Sequence, residues 1–194
     1  MKITKEEIKN ILITDENIKL LDKRENKSYN IRRLLGNQNI DQSQSIRFGN
    51  LFENWITNII KISGGELINI SYINLSNNKV NNSKNKKGSK DIDILFKFNG
   101  ITYYYEVKTN LNLDSEKHKG TDTKVLGIKN ALIENNHDQI LNHSILTCWY
   151  ENEYKLPIKV KTNITFMKDL FNILDIDCSK DDYYALLKEF GQMI

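Results

Sequence analysis

DIDILFKFNGITYYYEVK, residues 91–108, holds two alternating, β-rich runs on either side of Asn99-Gly100. Asn-Gly at that place predicts a two-residue hairpin of type I′, because both central residues of that turn need positive φ. Phe98 then pairs with Ile101, and the same register carried back sets Asp93 opposite Glu106 and Asp91 opposite Lys108. Alternation divides the hairpin into two faces. Ile92, Ile94, Phe96, Phe98, Ile101, Tyr103, Tyr105 and Val107 make a core face, while Asp91, Asp93, Glu106 and Lys108 share the other. Two carboxylates directly across a ladder repel, so a cation is expected beside them. Mg²⁺, a hard ion bound through one or two carboxylates together with water and phosphate oxygens, suits this pair.

Outward from the hairpin the chain reads as alternating helical and extended segments. Thr4 and Thr14 look like N-caps of two short helices with acidic first turns. A polar stretch of residues 23–44 follows, enclosing IRRLL (31–35). Between Ser45 and Ile62, Phe48, Leu51, Phe52, Trp55, Ile56, Ile59 and Ile62 recur at helical spacing, and Ser63-Gly64-Gly65 ends the pattern. ELINISYI (66–73) reads as one strand. NLSNNKVNNSKNKKGSK (74–90), with five lysines and no acid, reads as a mobile loop. Beyond the hairpin, residues 110–124 are polar and basic and VLGIKNALIENN (125–136) is helical. HSILTCWYENE (143–153) is a buried strand, YKLPIKV (154–160) a further edge strand, and ITFMKDLFNIL (164–174) a helix. Ser179 starts a last helix, with Asp182 as its capping partner. The expected class is α/β, mixed α+β in character, with a central mixed sheet flanked by helices. A single domain is expected: a helical segment over 1–44, a catalytic core over 45–150, and a C-terminal strand and helices over 151–194.

With 194 residues, a hydrophobic fraction of 39% and a charged fraction of 27%, the chain can bury a core of its own. The formal net charge of +3 permits nucleic-acid binding without demanding it. Two cysteines, Cys148 and Cys178, are too few for a disulfide framework or a zinc site, and both are expected to be buried or neutral thiols. Lysines and acids break up the apolar positions of MKITKEEIKNILIT, and no apolar run approaches the roughly 20 residues that span a bilayer. A cytoplasmic protein with no membrane association is expected.

Phosphodiester hydrolysis needs a nucleophilic water, neutralisation of the charge that develops on phosphorus, and help for the leaving oxygen. Asp93 and Glu106 can hold one or two Mg²⁺ ions, with the carbonyl of Val107 completing the shell. Lys108, two residues on from Glu106, projects to the same face, where its ammonium can orient the attacking water and touch a phosphate oxygen. Asp-x(12)-Glu-Val-Lys on consecutive antiparallel strands, after a helix bearing a glutamate, resembles the PD-(D/E)XK nuclease superfamily. The stretch GSKDIDILF…YYYEVKTNLNLDSEK is similar to type II restriction endonucleases in particular. The resemblance covers roughly residues 45–150 and implies a restriction-endonuclease-like core. It maps the first acidic residue onto Asp93, with Asp91 as a same-face alternative, and the second acid and the lysine onto Glu106 and Lys108. Glu53 in FGNLFENW matches a further glutamate that many members carry on the preceding helix. One departure is that Ile92, where the pattern has proline, precedes Asp93.

The function this implies is a Mg²⁺-dependent endodeoxyribonuclease, cutting double-stranded DNA at a specific sequence as a homodimer. Lys84, Lys86, Lys87, Lys90, Lys117 and Lys119 are the expected phosphate contacts. Two alternatives stand beside it: a junction-resolving or DNA-repair nuclease of the same fold, and a catalytically inert DNA-binding protein. In the plainest reading of all, the sheet face is a surface one and Asp91–Lys108 an ordinary cross-strand ion pair.

Overall fold

Trp55 shows how the first half of the chain is held. Its indole N–H donates to the carbonyl of Ile8 at 3.3 Å, and its ring stacks on Tyr183 with centroids 6.0 Å apart. These residues belong to a computed structural model that describes residues 3–21, 34–36, 42–70, 72–75, 79–81, 89–109, 115–135, 141–152 and 160–193. The chain divides into two compact units that interleave in sequence: Met1–Ser63 with Cys148–Asn152 and Phe166–Ile194, and Gly64–Thr147 with Glu153–Thr165.

The first unit is helical. It contains α1 (Lys5–Leu12), α2 (Asp15–Leu21), α3 (Gln42–Ile62), α5 (Met167–Ile173) and α6 (Lys180–Gln192). Thr4 caps α1 in a reciprocal box with Glu7, Thr14 Oγ1 accepts the N–H of Asn17, and Ser179 caps α6 through the N–H of Asp182. All three caps lie where the sequence placed them. Phe48, Leu51, Phe52, Trp55, Ile56 and Ile59 are buried along α3, as their spacing predicts. Tyr183 is fully buried and donates its hydroxyl to the carbonyl of Cys148 at 2.6 Å, which satisfies the one polar atom that its burial would otherwise strand. Cys148 and Cys178 are buried thiols outside any disulfide, and burial together with Asp182 pushes the Cys178 thiol up to about 11.

The second unit carries the strands. A five-stranded sheet runs β1 (Glu66–Leu67), β5 (Ile94–Phe98), β6 (Ile101–Val107), β7 (Leu141–Leu146), β8 (Ile164–Thr165), antiparallel as far as β6 and parallel beyond it. A three-stranded antiparallel sheet places β2 (Tyr72–Asn74) between β3 (Lys79–Asn81) and β4 (Ser89–Asp91). Helix α4 (Ser115–Glu134) connects β6 to β7 and lies against β7. The chain is therefore mixed α/β with a mixed five-stranded sheet. Among the described residues no helix is long and apolar enough to cross a membrane.

Several boundaries differ from the sequence reading. ELINISYI forms two short strands in two different sheets, not one strand. Residues 74–90 were expected to be a loop, yet Lys79–Asn81 and Ser89–Asp91 both pair with β2, since ladder hydrogen bonds are a backbone property that polar side chains do not prevent. The buried strand starts at Leu141 and stops at Leu146, and the predicted helix at 164–174 opens with the strand β8. Helix α4 begins ten residues before the predicted Val125, because its first turns bury Thr121 where an apolar residue was sought. The predicted edge strand at 154–160 lies almost wholly outside the described residues.

Gly191 offers a test of the first unit's packing. A Cβ at this position would overlap the backbone carbonyl oxygen of Leu35. Alanine ordinarily favours a helix over glycine by about 1 kcal/mol, but backbone overlap reverses the sign. Gly191→Ala is expected to lower stability by about 1–3 kcal/mol in urea unfolding; a variant as stable as the parent contradicts this packing.

Candidate active site

Asn99 and Gly100 have φ of 48° and 78°, the positive pair that a type I′ turn requires. Phe98 pairs with Ile101 and Ile94 with Tyr105, so paired residue numbers sum to 199 throughout the ladder, as the turn predicts. At Asp93 the ladder stops. Its carboxylate Oδ2 takes the N–H of Val107 at 2.8 Å, in place of a backbone acceptor on the opposite strand. The side chain of Asp93 is thereby tied to β6 beside Glu106.

The expected partner of Asp91 is a correction. Asp91 lies in β4 opposite Tyr72, in the three-stranded sheet, and not opposite Lys108. The chain leaves the hairpin register between Asp91 and Ile94, and the Asp93 to Val107 bond marks the departure. Asp91 is exposed, whereas the Asp93 side chain keeps only 11% of its surface.

The polar face of the hairpin is also not a solvated one. Leu95, Thr102, Tyr104 and Glu106 are all buried, and Glu106 is 2% exposed. Helix α4 brings Lys124 to this face. Its Nζ lies 2.6 Å from Glu106 Oε2 and 3.3 Å from Asp93 Oδ1. Lys108 Nζ donates to Glu106 Oε1 at 2.7 Å and to the Val107 carbonyl at 3.0 Å. The hydroxyl of Tyr104 reaches Glu106 Oε2 at 3.3 Å. All four carboxylate oxygens of Asp93 and Glu106 thus accept a hydrogen bond.

Charges divide unevenly between the two acids. Burial, and then the neighbouring Glu106, push Asp93 above the usual carboxylate range. Burial acts upward on Glu106 as well, but Lys108 and Lys124 outweigh it and hold Glu106 below that range. Burial draws Lys124 down, and Asp93 with Glu106 more than reverse it. Tyr104, pushed up by burial and by Glu106, stays a neutral donor. Glu106 is the firmly ionised member of the pair.

The structure brings together Asp93, Glu106, Val107 and Lys108 from the sequence reading. Glu53 lies on α3 in the helical unit, half-buried, and its backbone carbonyl accepts from Thr57 Oγ1 at 2.8 Å. Lys90 is exposed on β4, and Lys117 and Lys119 are exposed in the first turns of α4. Lys84, Lys86 and Lys87 lie outside the described residues. Lys124 and Tyr104 were missed as site residues. The signal for Lys124 is its place in the stripe of Thr121, Val125 and Ile128, a buried row in which a lysine needs an anionic partner. No family model, curated protein or solved structure matches this chain.

The donors suit a hard cation: two carboxylates and a backbone carbonyl, all oxygen. Among the described residues no three His, Cys, Asp or Glu side chains converge, so the remaining ligands of such an ion are water or substrate.

Acid unfolding tests the electrostatics. The lowered pKa of Glu106 gives stability that is whole above the unfolded value of about 4.3 and is lost as pH falls through the folded one. The raised pKa of Asp93 has the opposite sign and is felt as pH rises. Glu106→Gln should cost about 3 kcal/mol at neutral pH by leaving two lysines facing each other. Its stability should also fall less steeply than the parent's between about pH 5 and pH 3. Parallel curves for the two proteins, followed by urea unfolding, contradict the assignment.

Proposed function

We propose that the chain is a divalent-cation-dependent endodeoxyribonuclease of the PD-(D/E)XK type. The observation that carries this reading is the convergence of Asp93, Glu106, the Val107 carbonyl and Lys108 at one end of a single hairpin. The order of elements supports it: a helix bearing Glu53, then antiparallel strands β1, β5 and β6, with the acids on β6 and just before β5. A restriction-endonuclease-like core, action as a homodimer and specificity for a DNA sequence are parts of the same proposal.

Asp93, Glu106 and the carbonyl of Val107 are the residues that hold the cation in this reading. When bound, Mg²⁺ supplies positive charge against the phosphate and lowers the pKa of water. The chain's own part is positioning. The Val107 N–H holds the Asp93 carboxylate beside β6, and burial keeps Glu106 in a low-dielectric setting where its charge acts strongly. Lys108, with 30% of its side chain exposed, carries an ammonium that can turn from Glu106 to an attacking water or a phosphate oxygen. Lys90, Lys117 and Lys119 supply phosphate contacts along the duplex.

A second reading is favoured by the complete satisfaction of the carboxylates: a closed ion network in an inert DNA-binding protein, needing no metal. Mixed genomic DNA incubated with the protein and Mg²⁺ separates the readings. Discrete fragments are expected for a sequence-specific enzyme, a smear for a non-specific one, and intact DNA rejects the nuclease. Asp93→Asn should abolish cutting while DNA retention on a filter persists. Asp91→Asn should cut at near-parental rate, since Asp91 belongs to the other sheet; loss of cutting there would move the first acidic residue to Asp91.

A further inference from the structure

We propose that Lys124 is an internal counter-cation that occupies the position of the divalent ion and must leave it before that ion can bind. The inference rests on the cation-binding reading above and adds a competitor to it. Lys124 Nζ is the one group that touches both acids among the described contacts, at 2.6 Å from Glu106 Oε2 and 3.3 Å from Asp93 Oδ1. Lys108, in contrast, holds the other oxygen, Glu106 Oε1, and the Val107 carbonyl, and has no contact with Asp93 among the described ones. An ion of the Mg²⁺ class needs carboxylate oxygens at about 2.0–2.1 Å. An ammonium within hydrogen-bond reach of the same two oxygens excludes it.

Charge and burial point the same way. Two carboxylates and two ammonium groups balance without any metal. A divalent ion added to that set would leave four positive charges against two negative ones, with Lys124 only 19% exposed. The ion therefore enters by displacing Lys124. The place of Lys124 explains why it is there at all. On α4 it sits three residues after Thr121 and four before Ile128, both buried, where a lysine is tolerated only against an anion. Without a metal, Lys124 relieves the repulsion between the facing acids. It is a positioning residue for the metal-free site and a competitor for the loaded one.

Calorimetric titration of the full chain with Mn²⁺ alone, without DNA, tests this. Lys124→Met and Lys124→Gln should both bind Mn²⁺ about ten- to a hundredfold more tightly than the parent, the range set by one or two charge-assisted hydrogen bonds. Lys124→Arg keeps the bridging cation and should bind like the parent. Lys97→Met removes an exposed charge from the same hairpin and should change affinity less than about threefold. The Mn²⁺-induced rise in melting temperature should follow the same order. If Lys124→Met fails to fold, Lys124→Gln carries the same expectation. Should the parent bind Mn²⁺ and neither Lys124→Met nor Lys124→Gln bind it more tightly, or should Lys97→Met gain as much, the competition is refuted and the metal site stands. Absence of Mn²⁺ binding in the parent and in every variant overturns both.

Discussion

A buried pair of carboxylates must be compensated where it stands, and much of the second unit can be understood from that requirement. A two-residue turn whose positive φ values leave no freedom in the register of β5 and β6 places Glu106, and the Val107 N–H ties Asp93, just before β5, beside it. Shifting the pairing by one residue would exchange every side chain between the two faces. It would drive Glu106 into the row of Phe96, Tyr103 and Tyr105, whose rings lie 5.0–6.1 Å apart. The aromatic row and the acidic pair therefore select the same register from opposite faces. The turn makes that choice locally.

Compensation comes from three directions. The peptide N–H of Val107 takes one oxygen of Asp93, Lys108 arrives from the same strand as Glu106, and Lys124 arrives from α4. Of these, Lys124 links secondary structure to electrostatics most tightly. Its side chain reaches the acids only if α4 begins early enough to carry residues 115–124 in helical form. A helix beginning at Val125 would leave Glu106 without one of its two ammonium partners. Such a network is not a source of net stability by itself, since the cost of desolvating each charge offsets much of the attraction. What it does is make the removal of any single member expensive. It also holds the two carboxylates at a defined place.

The elements legible from sequence were those whose pattern is local. Asn99-Gly100 announced the turn, the apolar row from Phe48 to Ile59 announced α3, and Thr4, Thr14 and Ser179 announced their caps. Each rests on contacts within a few residues. What escaped was non-local. Asp91 was assigned to the hairpin because alternation continues through it, but β4 finds a better partner in β2, and nothing near Asp91 reports that pairing. The early start of α4 escaped for a related reason: its buried positions include Thr121 and Lys124, which a search for apolar periodicity passes over. Lys124 escapes a sequence reading because its two partners lie far upstream and only the β6–α4–β7 crossover folds it back on them.

The same cluster also shows why facing carboxylates alone are an incomplete argument for a metal. Repulsion between Asp93 and Glu106 demands positive charge nearby, and in this chain lysine ammonium groups meet the demand without any bound ion. What favours a metal in the proposed reading is the kind of groups assembled: hard oxygens of two acids, the backbone carbonyl of Val107 directly after Glu106, and the partly exposed Lys108 beside them. A purely structural ion pair gains nothing from the exposure of Lys108 or from the Val107 carbonyl in the same cluster, whereas a hydrolytic site uses both. Lys124 then has two meanings that are one physical fact. It balances the charge of the two acids, and in the proposed reading it is for that reason what a metal must overcome to enter.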